Sequence, residues 1–193
     1  MKELLFFSNN YNKVKEIKKI FRGNSIKIFS LIDFSINNEP KETGLSFAEN
    51  AKLKSEFGFK KTNLACFADD SGICVEALDN RPGVLSKRFI NKFKNKNECF
   101  KYIQKKVHQK NNSKAFFKSS ICLTFKDNYN IVFEGIIRGT IAKTISGKNG
   151  FGYDPIFIPD GFNKTFSQMS IKEKNSISHR SIAVTKLINF LTN

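Results

Sequence analysis

Leu64-Ala65-Cys66-Phe67-Ala68-Asp69-Asp70-Ser71-Gly72-Ile73-Cys74-Val75 is the stretch on which the fold turns. An apolar run of five residues with no helical spacing suits a buried strand, and it feeds directly into two adjacent aspartates. Ile73-Cys74-Val75 continues as another short strand. The chain carries 33 Lys and Arg against 17 Asp and Glu, so acids are scarce and an Asp-Asp pair needs a reason. Two like charges this close repel, and a cation or a raised pKa relieves them. Asp-Asp-Ser-Gly also has the composition of an exposed turn. The apolar approach from Leu64 favours carboxylates held at the end of a buried strand.

Upstream, Leu4 to Phe7 is a short apolar run bounded by turn formers, a second buried strand. Asn9 or Asn10 caps the next element, where Val14, Ile17, Ile20 and Phe21 recur at helical spacing and Gly23 marks the end. Ile26 to Phe29 reads as a strand, and residues 31–44 are irregular. Ser46 with Glu49 three positions on forms a capping-box pattern. It opens a helix whose apolar face holds Phe47, Ala51, Leu53 and Phe57 and which runs to about Lys60. Downstream, Asn80 to Gly83 is a turn, and Phe100, Ile103 and Val107 are spaced for a helix. Phe116 to Phe125 and Ile131 to Ile137 read as two long strands joined at Asp127-Asn128-Tyr129-Asn130. After a Gly-rich loop, Ile156 to Ile158 is a short strand, and Ile182 to Leu191 closes the chain as an amphipathic helix. Strands, helices and a hairpin in this order predict an α/β protein with a mixed sheet. The hairpin region builds a second lobe in this reading and leaves a cleft between the two.

The length of 193 residues suits one large domain or two closely joined lobes. The net charge of +16 suits a polyanionic partner, but the abundance of Lys, Asn, Phe and Ile looks like compositional drift as much as selection. No Arg-rich arm, zinc-finger spacing or aromatic RNA-binding signature accompanies it, so specific nucleic-acid binding is not expected. Cys66, Cys74, Cys99 and Cys122 form no C-x-x-C pair, and they read as small buried hydrophobes in a reducing compartment. No apolar stretch approaches the ~20 residues that span a bilayer. The N-terminus does not read as a secretory signal, and a cytoplasmic location is expected.

Several segments are candidates for chemistry. Ser8-Asn9-Asn10-Tyr11-Asn12-Lys13 lies where a strand turns into a helix. It reads either as a capped turn or as an anion site at a helix N-terminus. Hard divalent cations want oxygen ligands, and Mg²⁺ takes one or two carboxylates plus substrate phosphates. Asp69, Asp70 and Glu42 are the ligand candidates. Glu49 is explained by the capping box, whereas Glu42 beside Thr43-Gly44 has no helical explanation. Gly147 to Asp154 is either a flexible loop or a loop whose glycines let backbone approach a ligand. Phe151 and Tyr153 there offer a stacking ring, and Asp154 offers an acceptor. Glu173 to Arg180 reads in isolation as surface charge. Scarce paired acids in a cationic chain point to a Mg²⁺-dependent enzyme acting on a phosphate ester or anhydride.

Taken in order, these segments resemble the inosine triphosphate pyrophosphatase family, also called Ham1-like. The resemblance rests on Ser8–Lys13, Glu42-Thr43-Gly44 with Phe47–Ala51, Ala68-Asp69-Asp70-Ser71-Gly72, Arg81-Pro82-Gly83, Gly150–Pro155 and Ser178-His179-Arg180. It implies an elongated central mixed sheet flanked by helices, two lobes within a single 1–193 domain, an active-site cleft between them and a homodimer. It also implies hydrolysis of ITP, dITP and XTP to a monophosphate and pyrophosphate. Asp70 would be the general base, and Glu42 and Asp70, with Asp69 in support, would hold Mg²⁺. Asn10, Lys13, Lys54 and Ser71 would hold the triphosphate, and Lys174 would contact the phosphate or base region. Phe151, in the loop with Gly152 and Tyr153, would stack on the purine, Asp154 would accept from the ring edge, and His179 and Arg180 would donate to the 6-keto oxygen. The chain departs from the family pattern at Ser8-Asn9, where many members have Thr-Gly, at Leu85 in place of an aromatic, and at Lys87-Arg88. A nucleotide-binding protein without turnover and a nucleic-acid-binding protein are the alternatives.

Overall fold

A computed structural model describes residues 2–127 and 129–193, so the Asn128 position of the expected hairpin link lies outside the described residues. The chain divides into two compact units. Unit 1 comprises Met1–Asp70, Ser119–Gly135 and Arg180–Asn193, and unit 2 comprises Ser71–Lys118 and Ile136–His179. Among the described residues seven strands form a mixed sheet in the order Lys27–Phe29, Glu3–Phe6, Cys66–Val75, Lys114–Lys126, Tyr129–Ile141, Phe157–Pro159, with Arg81–Pro82 paired to Cys66–Val75.

In unit 1, β1 (Glu3–Phe6) lies parallel between β2 (Lys27–Phe29) and the first half of β3 (Cys66–Val75). Side chains alternate across a strand, and the alternation sorts the apolar residues onto two faces. Leu4, Phe6 and Phe67 pack against Ile17 and Phe21 at α1 (Tyr11–Ile20) and against Ala183, Val184 and Leu187 of α6 (His179–Thr192). Leu5, Phe7, Cys66 and Ala68 form the opposite face with Leu31 and, from α2 (Phe47–Thr62), Phe57 and Phe59. A sheet covered on both faces needs continuous apolar runs rather than alternating ones, which is why Leu4–Phe7 and Leu64–Ala68 read as such. Gly58 sits inside α2, where glycine costs about 1 kcal/mol against alanine. A Cβ there would lie only 2.5 Å from Cys66 Sγ and 2.7 Å from the Phe7 ring, so glycine lets the helix approach the sheet.

Unit 2 is built on the rest of β3, the start of β5 (Lys114–Lys126) and the end of β6 (Tyr129–Ile141). To these it adds β4 (Arg81–Pro82) and β7 (Phe157–Pro159), antiparallel to β3 and β6 respectively. Its helices are α3 (Ser86–Ile90), α4 (Lys96–Gln109) and α5 (Ile171–Ile177). Ile73, Val75, Cys99, Phe100, Ile103, Phe117, Phe157 and Phe166 fill its core. All four cysteines are buried free thiols.

The main difference from expectation lies in β3. Asp69-Asp70-Ser71-Gly72 is neither a turn nor a gap between two strands but the middle of one ten-residue strand. Gly72 permits this, because a Cβ there would overlap Ser86 Oγ and the Gly83 carbonyl oxygen. Smaller shifts occur at element ends. α1 stops at Ile20 with Phe21 as its cap, α2 continues to Thr62 and ends on left-handed Asn63, and β7 starts one residue late because Asp154–Ile156 forms a 3-10 turn.

Candidate functional site

Alternation along β3 sends the two aspartates to opposite faces of the sheet. Asp69 follows Phe67 to the side of α1 and α6. Its Oδ2 meets Lys13 Nζ at 2.9 Å and Arg180 Nε at 3.0 Å, and its Oδ1 accepts from Ser119 Oγ at 2.6 Å. Arg180 Nη1 bonds Glu16 Oε2 on α1 at 2.5 Å. The Asp69 side chain is 0% exposed and that of Arg180 2%. Burial pushes the Asp69 carboxyl up, but Arg180, Lys13 and the Ser119 hydrogen bond together hold it well below the usual carboxylate range. Burial likewise pulls Lys13 down, partly offset by Asp69 and reinforced by the neighbouring Arg180 and Lys54 cations.

Asp70 follows Ala68 to the side of α2. Lys54 Nζ bridges Asp70 Oδ1 at 3.2 Å and Glu42 Oε1 at 3.0 Å, and it also donates to the Asp69 carbonyl at 2.9 Å. Asn50 ties the same corner together. Its Oδ1 accepts from Gly44 N at 2.8 Å and its Nδ2 donates to Asp70 Oδ2 at 3.3 Å, which fixes the segment carrying Glu42 against β3. Glu49 closes the α2 capping box with Ser46, as its spacing predicts. Burial raises the Asp70 carboxyl above its ordinary value, and Lys54 and Lys13 offset this only in part. Lys54 is held up by Asp70, Glu42 and Asp69 against its own burial.

The turn before α1 places a third set of groups. Asn10 caps the helix, its Oδ1 accepting from Asn12 N at 3.0 Å and Lys13 N at 3.3 Å. Its Nδ2 has no partner among the described residues, so its donor capacity is open. Ser8 Oγ accepts from Asn10 N, and Asn9 N donates to Glu39 Oε1. Tyr11 and Asn12 are exposed on the first turn.

Unit 2 gathers a separate group. Lys174 Nζ pairs with Asp154 Oδ2 at 2.7 Å, and both side chains are at most 5% exposed. Phe151 N donates to the same oxygen at 2.8 Å, and the Lys174 ammonium sits 4.7 Å from the Phe151 ring centroid. Gly150, at φ +74, allows this, since a Cβ there would overlap Asp154 Oδ2. The start of the loop is pinned by Asn149, whose N donates to the Ser167 carbonyl while its own carbonyl accepts from Ser167 Oγ. Gly152 continues the loop in a left-handed conformation, with φ +62. His179 is buried and stacked on Phe117, 4.7 Å between centroids and 9° apart in plane. Ser71 is half-buried on β3.

Three residues acquire partners that the sequence does not show. Asp69, a supporting ligand candidate in the sequence, has both its oxygens engaged by Lys13, Arg180 and Ser119. Arg180 is joined to Asp69 and Glu16 through Nε and Nη1, which makes it a member of the unit 1 acid–base cluster. Tyr153 is 4% exposed, packs on Phe100 and donates its hydroxyl to the Ser86 carbonyl at 2.8 Å, so its side chain is part of the unit 2 core. Three residues of the cluster went unread in the sequence. Ser119 carries no local signal, Glu16 looks like one more charge on a helix face, and Asn50 is visible only as part of the family pattern.

Among the described residues no three His, Cys, Asp or Glu side chains converge into a metal cage. Two carboxylates, Asp70 and Glu42, do share one cationic nitrogen. That donor set fits a hard divalent ion whose remaining ligands come from water and substrate phosphate.

Residues 4–190 match the Ham1 family. The chain is 41% identical to the dITP/XTP pyrophosphatase of Flavobacterium psychrophilum, over 99% of this chain and 100% of that protein. It is also 41% identical to the dITP/XTP pyrophosphatase of Porphyromonas gingivalis, over 99% and 98%. A HAM1 protein from Coxiella burnetii superposes with a TM-score of 0.88 at 35% identity, covering 100% of this chain and 99% of that one. The Staphylococcus aureus Ham1 protein gives 0.86 at 36% identity, covering 99% and 98%.

Proposed function

The chain belongs to the Ham1 family, and from that premise we propose that it acts on a non-canonical purine nucleoside triphosphate through the residues assigned below. The protein is a nucleoside-triphosphate pyrophosphatase, a hydrolase of dITP/XTP type that yields the monophosphate and pyrophosphate. The observation that carries the residue assignment is the bridge from Lys54 to Asp70 and Glu42, beside an Asp69 that is fully paired internally.

In this reading Asp70 is the general base. Its carboxyl is buried with a raised proton affinity, which suits it to take a proton from a water attacking the α-phosphorus. Asp69 acts through others: it holds Lys13 toward α1 and fixes Arg180 at the head of α6. Lys13, Lys54, the Asn10 amide and Ser71 hold the phosphate chain, with the free N–H groups at the start of α1 as a further anion site. Glu42 and Asp70 hold Mg²⁺, which when bound offsets phosphate charge and lowers the pKa of its water.

On the base side, Phe151 stacks on the purine. Asp154, set by Lys174 and the Phe151 N–H, accepts from the ring edge, and His179 donates to the 6-keto oxygen. Adenine presents an amino donor at that position, and a buried donor facing a donor discriminates strongly. Arg180, which the resemblance assigns to the base, is a positioning residue here. A homodimer and a cytoplasmic location complete the proposal; among the described residues no helix is long and apolar enough to cross a membrane.

The test is pyrophosphate release from ITP, dITP, XTP, GTP, ATP and CTP, with Mg²⁺ and with EDTA. Release confined mainly to ITP, dITP and XTP, and lost with EDTA, is expected. Equal release from every nucleotide would discard the base-side assignments and keep the unit 1 chemistry. Binding of ITP with no release would leave a nucleotide-binding protein.

A further inference from the structure

The +16 charge is not spread evenly. Residues 86–118 hold a third of the chain's 33 cationic side chains, and Glu98 is the only one of its 17 acids to fall there. A uniform compositional bias toward lysine would not empty one segment of acids while leaving the rest of the chain much nearer balance. The segment comprises α3, α4 and their flanks, all within unit 2.

Helix α4 turns Cys99, Phe100 and Ile103 into the core. Lys101, Tyr102 and Lys105 are exposed and Lys106 is half-buried at the flank, with Lys101 and Lys105 one helical turn apart, as are Tyr102 and Lys106. Tyr102 is 38% exposed. Its ring lies on two others, 6.1 Å from Phe89 and 5.5 Å from Phe93, and those two are 5.4 Å apart. Lys106 Nζ stands 5.9 Å from the Tyr102 centroid. Lys92, Lys94 and Lys96 follow α3 and are exposed. None of these lysines makes an ion pair among the described residues, whereas Lys110 and Arg81 share Asp79.

We propose that the α3–α4 face binds single-stranded nucleic acid without sequence preference. A cationic track beside an exposed ring backed by further rings is what such binding uses: phosphates along the lysines, a base on the aromatic face. Charge alone would serve a duplex or an anionic membrane equally well. Tyr102 distinguishes the single strand, since only unpaired bases offer a face to stack. The outer face of α4 carries lysines rather than the apolar side chains that insert into a bilayer.

The test is fluorescence anisotropy with labelled oligo-dT of 20 nucleotides between 50 and 200 mM KCl, beside a duplex of the same length and vesicles containing phosphatidylserine. Contact with about five phosphates gives a log–log salt slope of about −3.5, so the fourfold rise in salt weakens binding about 100-fold. The triple variant Lys101→Gln, Lys105→Gln, Lys106→Gln should flatten that slope by about 2. Tyr102→Ala should weaken binding about tenfold at an unchanged slope. Both variants should hydrolyse ITP normally, which also reports that they fold. No binding at 50 mM KCl, an unchanged slope in the triple variant, or duplex or vesicle binding as tight as the single strand and indifferent to Tyr102→Ala would each overturn the proposal.

Discussion

Asp69 and Asp70 are neighbours of the same type, yet substitution by asparagine should damage the protein in opposite ways. Asp69→Asn removes a buried charge that is paired with Lys13 and Arg180 at 2.9 and 3.0 Å. It leaves two cations in the interior facing an amide. Breaking a buried pair from one side costs about 3–5 kcal/mol, a large share of the roughly 5–15 kcal/mol that holds a domain folded. For a chain of this length that is a fall in Tm of about 10 °C. Asp70→Asn removes a carboxylate whose ionisation burial already disfavours, and Lys54 keeps Glu42 and the Asp69 carbonyl as partners. Its stability should change by no more than about 1 kcal/mol, as expected for a substitution that strands no buried charge. Its turnover should fall by about two orders of magnitude or more through loss of the general base. Urea denaturation followed by circular dichroism gives the stabilities, and pyrophosphate release from ITP under saturating Mg²⁺ gives the rates. Equal destabilisation by the two changes would refute the division of the aspartates between faces. Near-normal turnover in Asp70→Asn would refute its role as base.

Arg180→Ala should destabilise by about 3–5 kcal/mol, depriving Asp69 and Glu16 of their shared cation, and lower kcat/KM for ITP and ATP by the same factor; a loss confined to ITP would return Arg180 to the base. Gly150→Ala should raise KM for ITP about tenfold or more, because its Cβ displaces Asp154 from Lys174 and a small misplacement is expensive at a binding site; an unchanged KM would show that Asp154 is not needed there. In metal-free protein the Asp70 carboxyl should titrate above the ordinary carboxylate value of about 4, as followed by carboxyl NMR in EDTA; titration at or below that value would count against its burial. Stability should follow the other aspartate. The folded pKa of Asp69 is depressed, so its contribution is present above the unfolded value of about 3.9 and is lost as pH falls through the folded one. Asp69→Asn should therefore flatten the acid side of the stability profile, and acid unfolding identical to the parent's would count against the pairing.

Much of the architecture was legible locally. Leu4–Phe7 and Leu64–Ala68 announced buried strands because both faces of the sheet are covered. Asn10 and the Ser46–Glu49 box announced helix starts because capping is satisfied within three residues of chain. Asp69-Asp70-Ser71-Gly72 read as the end of one buried strand and a break before the next, because its composition is that of turns, whereas it continues one strand. A polar strand interior is stable only where distant residues supply the partners, and composition does not reveal them. The packing of Tyr153 on Phe100 was not legible, because the glycine-rich loop around it carries no signal of a partner some fifty positions away.

The sequence by itself determined the family, since six short motifs in fixed order need no knowledge of distance. The reaction class came with the family those motifs resemble. Tertiary structure alone gives the two aspartates different partners. The two differ by one position in sequence, yet one strand step turns them to opposite faces. Asp69 then meets Arg180, 111 positions away, which in turn holds Glu16, 164 positions from it. The electrostatic field at a carboxylate is the sum over such neighbours, and only the folded chain brings them within 3 Å.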